Sequence, residues 1–236
     1  MLLIFSCFNF DQPFSQKVNC NLMSPRTSTQ FEAIRQEKTK LILDTALELF
    51  AEKGYHQTSI NNISIRAGIS KGLLYNYFES KEEVLRSIIQ TGYDAAYSNL
   101  DLNGDHSLAK EEFVHFLRIT FQSVRENPKF WKLYSTLVMQ PGVQDMVMDE
   151  YSAKAQDIRK LFFDFVKVSG SIAPENDLIA ISSLIKGAHL ILITAPDFFP
   201  AGQFEETIIE GCFRLIQTES SSLTVPEKQH DTIKQQ

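Results

Sequence analysis

The sequence predicts an all-α fold. Apolar residues beyond residue 35 recur at helical spacing, no stretch sustains the alternation of a strand, and Ser, Gly and Pro punctuate the pattern where helices should start and stop. Leu43, Ala46, Leu47 and Phe50 form one apolar face at i, i+3, i+4 and i+7, and Gly54 ends that helix. Thr58 and Ser59 then cap a short helix carrying Ile60 and Ile63. Ala67-Gly68-Ile69 is a tight break. Ser70 caps a third helix, expected to run to Phe78 with Leu74 and Phe78 turned inward. Ser80-Lys81-Glu82-Glu83 is a capping box that opens a longer helix through Val84, Leu85, Ile88 and Ile89.

Longer helices follow. Phe113–Glu126 stops at Asn127-Pro128, Phe130–Met139 stops at Pro141-Gly142, and Val143–Val168 ends near Gly170. Another begins at Pro174-Glu175 and runs to about Ala195, and Phe204–Ile216 is the last. The expected organisation is a disordered leader over 1–34, a three-helix domain over 35–81, a larger helical domain over 82–217 and a polar, disordered tail over 218–236.

The bulk numbers fit a soluble globular chain. Of 236 residues, 43% are hydrophobic and 22% charged, enough apolar side chains for a real core. The net charge of -6 leaves nucleic acid as a partner only through a locally basic surface. Cys7, Cys20 and Cys212 form no pair and no ligand spacing, and so read as reduced thiols of a cytoplasmic protein. No apolar run reaches the roughly 18 residues of a membrane span. Met1–Phe8 resembles a short signal core without its basic start, and residues 1–22 read as an upstream start choice ahead of Met23.

Two short helices joined by a glycine turn are the reading unit of many DNA-binding proteins. The first braces the backbone and the second enters a major groove about 12 Å wide. The stretch Thr58-Ser-Ile-Asn-Asn-Ile-Ser-Ile-Arg-Ala-Gly-Ile-Ser-Lys-Gly-Leu-Leu-Tyr-Asn-Tyr-Phe-Glu-Ser-Lys81, preceded by Ala46-Leu-Glu-Leu-Phe-Ala-Glu-Lys-Gly-Tyr55, resembles the signature of the TetR (tetracycline-repressor) family over about residues 38–90. The resemblance implies a helix-turn-helix domain followed by a helical domain for ligand binding and dimerisation. It places Thr58, Ser59 and Asn61 on phosphates, and sets Ser70, Lys71, Gly72, Leu73, Tyr75, Asn76 and Tyr77 on the reading helix, with Lys81 on the backbone beyond. Gly72 admits close approach of the sugar-phosphate chain, and Leu73 stands where relatives often carry Thr or Ser. Operator DNA, a second copy of the chain and a small-molecule inducer are the implied partners, with no membrane. Pairing falls to helices at about 176–195 and 204–217, carrying Leu184, Ala188, Leu192, Ile208 and Phe213. Between 58 and 81, Arg66, Lys71 and Lys81 face only Glu79, so the head reads as mildly basic.

Aromatic and Met residues crowd the middle helices. Most suit core packing, and Trp131, Tyr134 and His189 are the candidates for the wall of a pocket for an apolar or cationic ligand. A competing pattern lies at Asp101, Asn103, Asp105 and Glu112, spaced as in an EF-hand calcium loop, with His106 where a glycine is expected. It supports an alternative reading as a calcium-binding interaction protein, against a plain polar connector. No nucleophile elbow, P-loop, dinucleotide turn or zinc motif is present, so neither an enzyme nor a cofactor is expected.

Overall fold

The computed structural model describes residues 28–98, 100, 104–200 and 202–216. The described residues form nine helices and no strand: α1 (Ser28–Lys53), α2 (Ile60–Arg66), α3 (Lys71–Tyr75), α4 (Lys81–Tyr97), α5 (Lys110–Glu126), α6 (Pro128–Val138), α7 (Val143–Val168), α8 (Pro174–Thr194) and α9 (Gln203–Leu215). The chain divides into a small N-terminal unit ending at Glu37 and a body from Lys38 onward. Of the former, the described part is helical from Ser28, so the last seven residues of the expected disordered leader, 28–34, are helix, and Gln36 Nε2 donates to Glu32 Oε1 one turn back (3.4 Å). The rest of the leader and the tail lie outside the described residues.

Three serines start three consecutive helices. Ser59 Oγ accepts from Asn62 N (3.2 Å) while Asn62 Oδ1 accepts from Ser59 N (2.9 Å). Ser70 Oγ accepts from Leu73 N and Ser80 Oγ from Glu83 N, each at 3.1 Å. Each hydroxyl satisfies an amide that the helix itself cannot. Helix α2 closes at Gly68, where φ is +66°. Gly68 N donates to Ile65 O and Ile69 N to Ser64 O (3.2 and 3.0 Å), the paired closure that needs a left-handed residue. Pro128 and Pro174 each stand at a helix start, where a missing amide proton costs nothing. One element is shorter than its sequence suggests. α3 ends at Tyr75, and Asn76–Phe78 continue as a turn whose amides at Tyr77 and Phe78 both reach Leu74 O.

The buried side chains gather in two cores. The first joins Ile42, Ala46, Leu49 and Phe50 of α1 to Ile63, Leu74, Phe78, Val84, Leu85, Ile88 and Ile89, and it also takes in Leu137, Val143 and Tyr151. The expected boundary after residue 81 parts α3 from α4, whereas the buried face of α4 packs in the same core as α1–α3. The second core holds Phe113, Leu117, Phe121, Phe165, Val166, Ile181, Leu192 and Cys212, from α5, α7, α8 and α9. Helix α7, 26 residues and so about 39 Å long, reaches both. Helix α8 corrects one expectation. Its 21 residues are long and apolar enough, by length and composition, to cross a membrane, although only 28% of that stretch is buried. Leu178, Ile181, Ala188 and Leu192 pack inward while Ile179 and Leu190 stay exposed. Apolar residues on both sides of α8 raise its content beyond what one core requires.

Candidate nucleic-acid interface

The α2–α3 pair is held by its buried side. Leu74 is fully buried and Phe78 nearly so, which fixes the roll of α3 and turns Lys71, Gly72, Tyr75 and Asn76 outward. Tyr75 is 46% exposed, and the Lys71 ammonium lies 5.8 Å from its ring centre, one turn away on the same face. Leu73 and Tyr77 are half-buried, Tyr77 against the first core. Ser70, exposed, is engaged as the cap. Ser59, the cap of α2, and Asn61 on α2 are exposed, as is Ile65, which the sequence reading did not single out.

Two expected contacts are placed differently. Thr58 is 2% exposed and its hydroxyl donates inward, to Gly54 O (2.9 Å) and Leu49 O (3.3 Å), so it braces the end of α1 and does not face a phosphate. Lys81 is half-buried. Its Nζ donates to Tyr55 O (3.0 Å) and lies 4.2 Å from the centre of the Tyr55 ring. Tyr55 is a hub: its hydroxyl donates to Glu82 Oε1 (3.1 Å), and burial together with that carboxylate raises its pKa well above the usual phenol value.

The charge of the head is smaller than the sequence count. Arg66 pairs with Glu52 (2.9 Å) and Glu48 (3.5 Å) of α1, and Glu48 also receives Lys129 of α6. The Lys129 hydrogen bond is the largest influence on Glu48, and it holds that carboxyl below the usual range. Arg66 is thus balanced by acids that lie too far away in sequence for a local charge count to include.

A cleft of about 530 Å³ opens between α4 and α7, lined by Tyr93, Asp94, Tyr97, Leu100, Asp157 and Leu161 among others. That is within the usual size for a small-molecule site. The Tyr93 and Tyr97 rings are 4.9 Å apart, and the Lys154 ammonium sits 5.3 Å from the Tyr93 ring centre. Burial, with the neighbouring phenols and the carboxylates of Asp157 and Asp94, raises the Tyr93 pKa. Sequence reasoning missed these residues. The only local signal is the one-turn spacing of Tyr93 and Tyr97, which means little until α7 is laid alongside.

The expected pocket residues lie elsewhere. Trp131 Nε1 donates to Ser123 Oγ (3.1 Å), and Tyr134 presses on Gly92 of α4 and donates to Ile89 O (3.4 Å). His189 Nδ1 lies 2.9 Å from Ile185 O, with its ring 5.0 Å from Phe121. All three serve packing, and none lines the cleft. Burial lowers the pKa of His189. Its folded ring therefore resists a proton that the unfolded chain accepts, so stability falls as pH drops below about 6.5. Urea unfolding from pH 7.5 to 5.5 should show that slope, and His189→Leu should flatten it. An equal slope in the variant would assign the effect to other groups.

Of the calcium-loop candidates, Asp101 and Asn103 lie outside the described residues. His106 adopts φ +60°, so the left-handed turn is made. Asp105 Oδ1 accepts from Ser107 N and Oγ (2.8 and 2.7 Å), and Glu112 accepts from Ala109 N (2.9 Å) at the start of α5. Both carboxylates thus serve as local caps. Among the described residues, no three His, Cys, Asp or Glu side chains gather in a manner that could hold a metal.

The head described above is matched by a known family. The family model for bacterial regulatory proteins of the tetR family matches residues 42–88, which spans α1 from Ile42 through α2 and α3 into α4. The HTH-type transcriptional regulator YerO of Bacillus subtilis, itself uncharacterized, is 30% identical over 199 residues, which is 80% of this chain and 68% of YerO. The chain belongs to the TetR family. The uncharacterized HTH-type regulator YuxN of the same organism is 38% identical over 98 residues, 40% of this chain. The chain spans 33% of the length of YuxN and 49% of that of YfiR, two of the curated relatives it matches. Among solved structures, MexZ of Pseudomonas aeruginosa, described as a repressor in antibiotic resistance, aligns with TM-score 0.61 at 15% identity, covering 80% of this chain and 99% of MexZ. That likeness concerns the fold. It extends the TetR architecture through the helices beyond residue 88, where the family model ends.

Proposed function

We propose that this TetR-family chain is a DNA-binding transcriptional repressor that acts as a homodimer and leaves its operator when a small molecule fills the α4–α7 cleft. The observation that carries the reading is the split of α3 into a buried side, Leu74 with Phe78, and an outward side of Lys71, Gly72, Tyr75 and Asn76. Such a helix can enter a groove without disturbing its own core. Ser59 and Asn61 stand exposed at the start of α2 as candidate phosphate partners, and Lys81 is anchored at the start of α4.

Pairing is required by the economy of contact, since one head offers few cations and two heads bound together double them. Helix α8 supports this, with Ile179 64% and Leu190 54% exposed. Of the pairing residues expected from sequence, Ala188 and Leu192 are instead buried in the second core, so the dimer face is assigned to the opposite side of α8. The reading involves no catalytic step, no cofactor and no membrane, and places the protein in the cytoplasm.

The test is DNA binding to the region beside its own gene. Lys71→Ala and Tyr75→Ala should each weaken affinity by about 1–3 kcal/mol per head, with the size-exclusion profile unchanged. Affinity untouched in both variants would remove α3 from the interface and the proposal with it.

A further inference from the structure

The corner between α6 and α7 is fastened to the corner between α1 and α2 by one side chain. Helix α1 ends at Gly54, where φ is +90°, and a helix end leaves carbonyl groups in need of partners. Phe50 O already accepts from Gly54 N (3.0 Å), and Gln140 adds a second donor to it across more than eighty residues of sequence. Its Nε2 donates to Phe50 O (2.7 Å) and its Oε1 accepts from Tyr55 N (2.8 Å). Both halves of the amide are therefore used on one helix terminus. The backbone of Gln140 is itself fixed: its N–H donates to Leu137 O, and its carbonyl accepts from Val143 N and Gln144 N, all at 3.1 Å.

The surroundings leave little slack. Leu137 and Val143, on either side of the corner, are fully buried in the first core. Gly142 holds φ +80°, and a Cβ there would lie 2.8 Å from His56 Nε2. On its other side the α1–α2 connector is held by α4, through Lys81 on Tyr55 O and Glu82 on the Tyr55 hydroxyl. Helix α7 runs on from this corner to Asp157 and Leu161 in the cleft.

We infer that Gln140 is a positioning residue: it sets the tilt of the DNA-reading head against α6 and α7, and thereby the spacing of half-sites that a pair of heads accepts. The inference rests on the DNA-binding reading above. Half-sites lie about one helical turn apart, so a small rotation of each head moves both reading helices off register together. Affinity of a single head for a single half-site does not depend on that angle.

The experiment uses the full-length protein and duplexes selected from a random pool by the wild type, then lengthened or shortened by one base pair between half-sites. Gln140→Met keeps the reach and bulk of the side chain without either hydrogen bond. Gln140→Glu keeps the acceptor for Tyr55 N–H but sets a carboxylate against Phe50 O. In Gln140→Met the preference for the selected spacing should fall about tenfold, with affinity for an isolated half-site preserved. Gln140→Glu should lose a similar share. Spacing preference unchanged in both variants overturns the inference. So does a parallel loss of half-site affinity, which assigns Gln140 to the folding of the head alone. A wild type that selects no DNA overturns the DNA-binding reading and this inference together, and is told apart by that result.

Discussion

Phe113→Ala should lower the unfolding free energy by about 3–5 kcal/mol, the range for emptying a fully buried aromatic site. Phe113 is 0% exposed and touches three other rings: Phe165 stacks at 4.6 Å, while Phe162 and Phe213 meet it edge-on at 5.9 and 5.7 Å. These rings come from α7 and α9, so a single side chain on α5 ties three helices together. Their neighbours, Leu117 and Val166, are also buried and cannot swing far enough to fill the void. Urea unfolding at one fixed protein concentration would measure the loss, since the proposed dimerisation would make apparent stability depend on concentration. Phe113→Leu, which keeps most of the volume, should cost much less. A loss below about 1 kcal/mol for the alanine variant would mean that this cluster is not packed as described.

Gly92→Ala poses a contest of signs. Within a helix, alanine is favoured over glycine by about 1 kcal/mol, and Gly92 lies inside α4. Yet a Cβ at this position would sit 2.2 Å from Tyr134 Cε2 and 2.4 Å from Cζ. The ring, half-buried, can yield only by giving up its own contacts. It stacks on Phe130 at 5.7 Å, meets Trp131 edge-on at 5.8 Å, and its hydroxyl donates to Ile89 O. Overpacking costs about 1–3 kcal/mol and outweighs the propensity gain, so the variant should melt at lower temperature. Pairing it with Tyr134→Leu removes the obstacle, and the added alanine should then be neutral or favourable against Tyr134→Leu alone. A Gly92→Ala protein that melts higher than wild type would show that the α4–α6 contact is looser than described.

Much of this architecture was legible in sequence because helix ends are local events. Ser59, Ser70 and Ser80 act within four residues of themselves, and Pro128 and Pro174 mark starts that need no knowledge of the fold. The bounds of α7, Val143–Val168, match the apolar period that defines them. The errors have a common physical source. Thr58 reads as a surface cap because nothing near it in sequence reveals that Leu49 O and Gly54 O await a donor. Arg66 reads as a free cation because Glu52 lies fourteen residues back, on another helix. Trp131, Tyr134 and His189 have the composition of a pocket wall, but whether an aromatic residue lines a cavity or fills one is decided by the partner helix. The Gln140 contact left no local trace for the same reason, and the α4–α7 cleft left only the one-turn spacing of Tyr93 and Tyr97, since each is formed by residues tens of positions apart.

The open side of α8 carries a further consequence. If the proposed pairing covers Ile179 and Leu190, a chain that is newly made and scarce, with both still in water, is only half protected. On the proposed pairing, its survival against proteases and its grip on two half-sites would rise together with the number of copies in the cell. Dosage would then act as an input to the regulator in its own right, felt through a patch that belongs neither to the reading helix nor to the lining of the cleft.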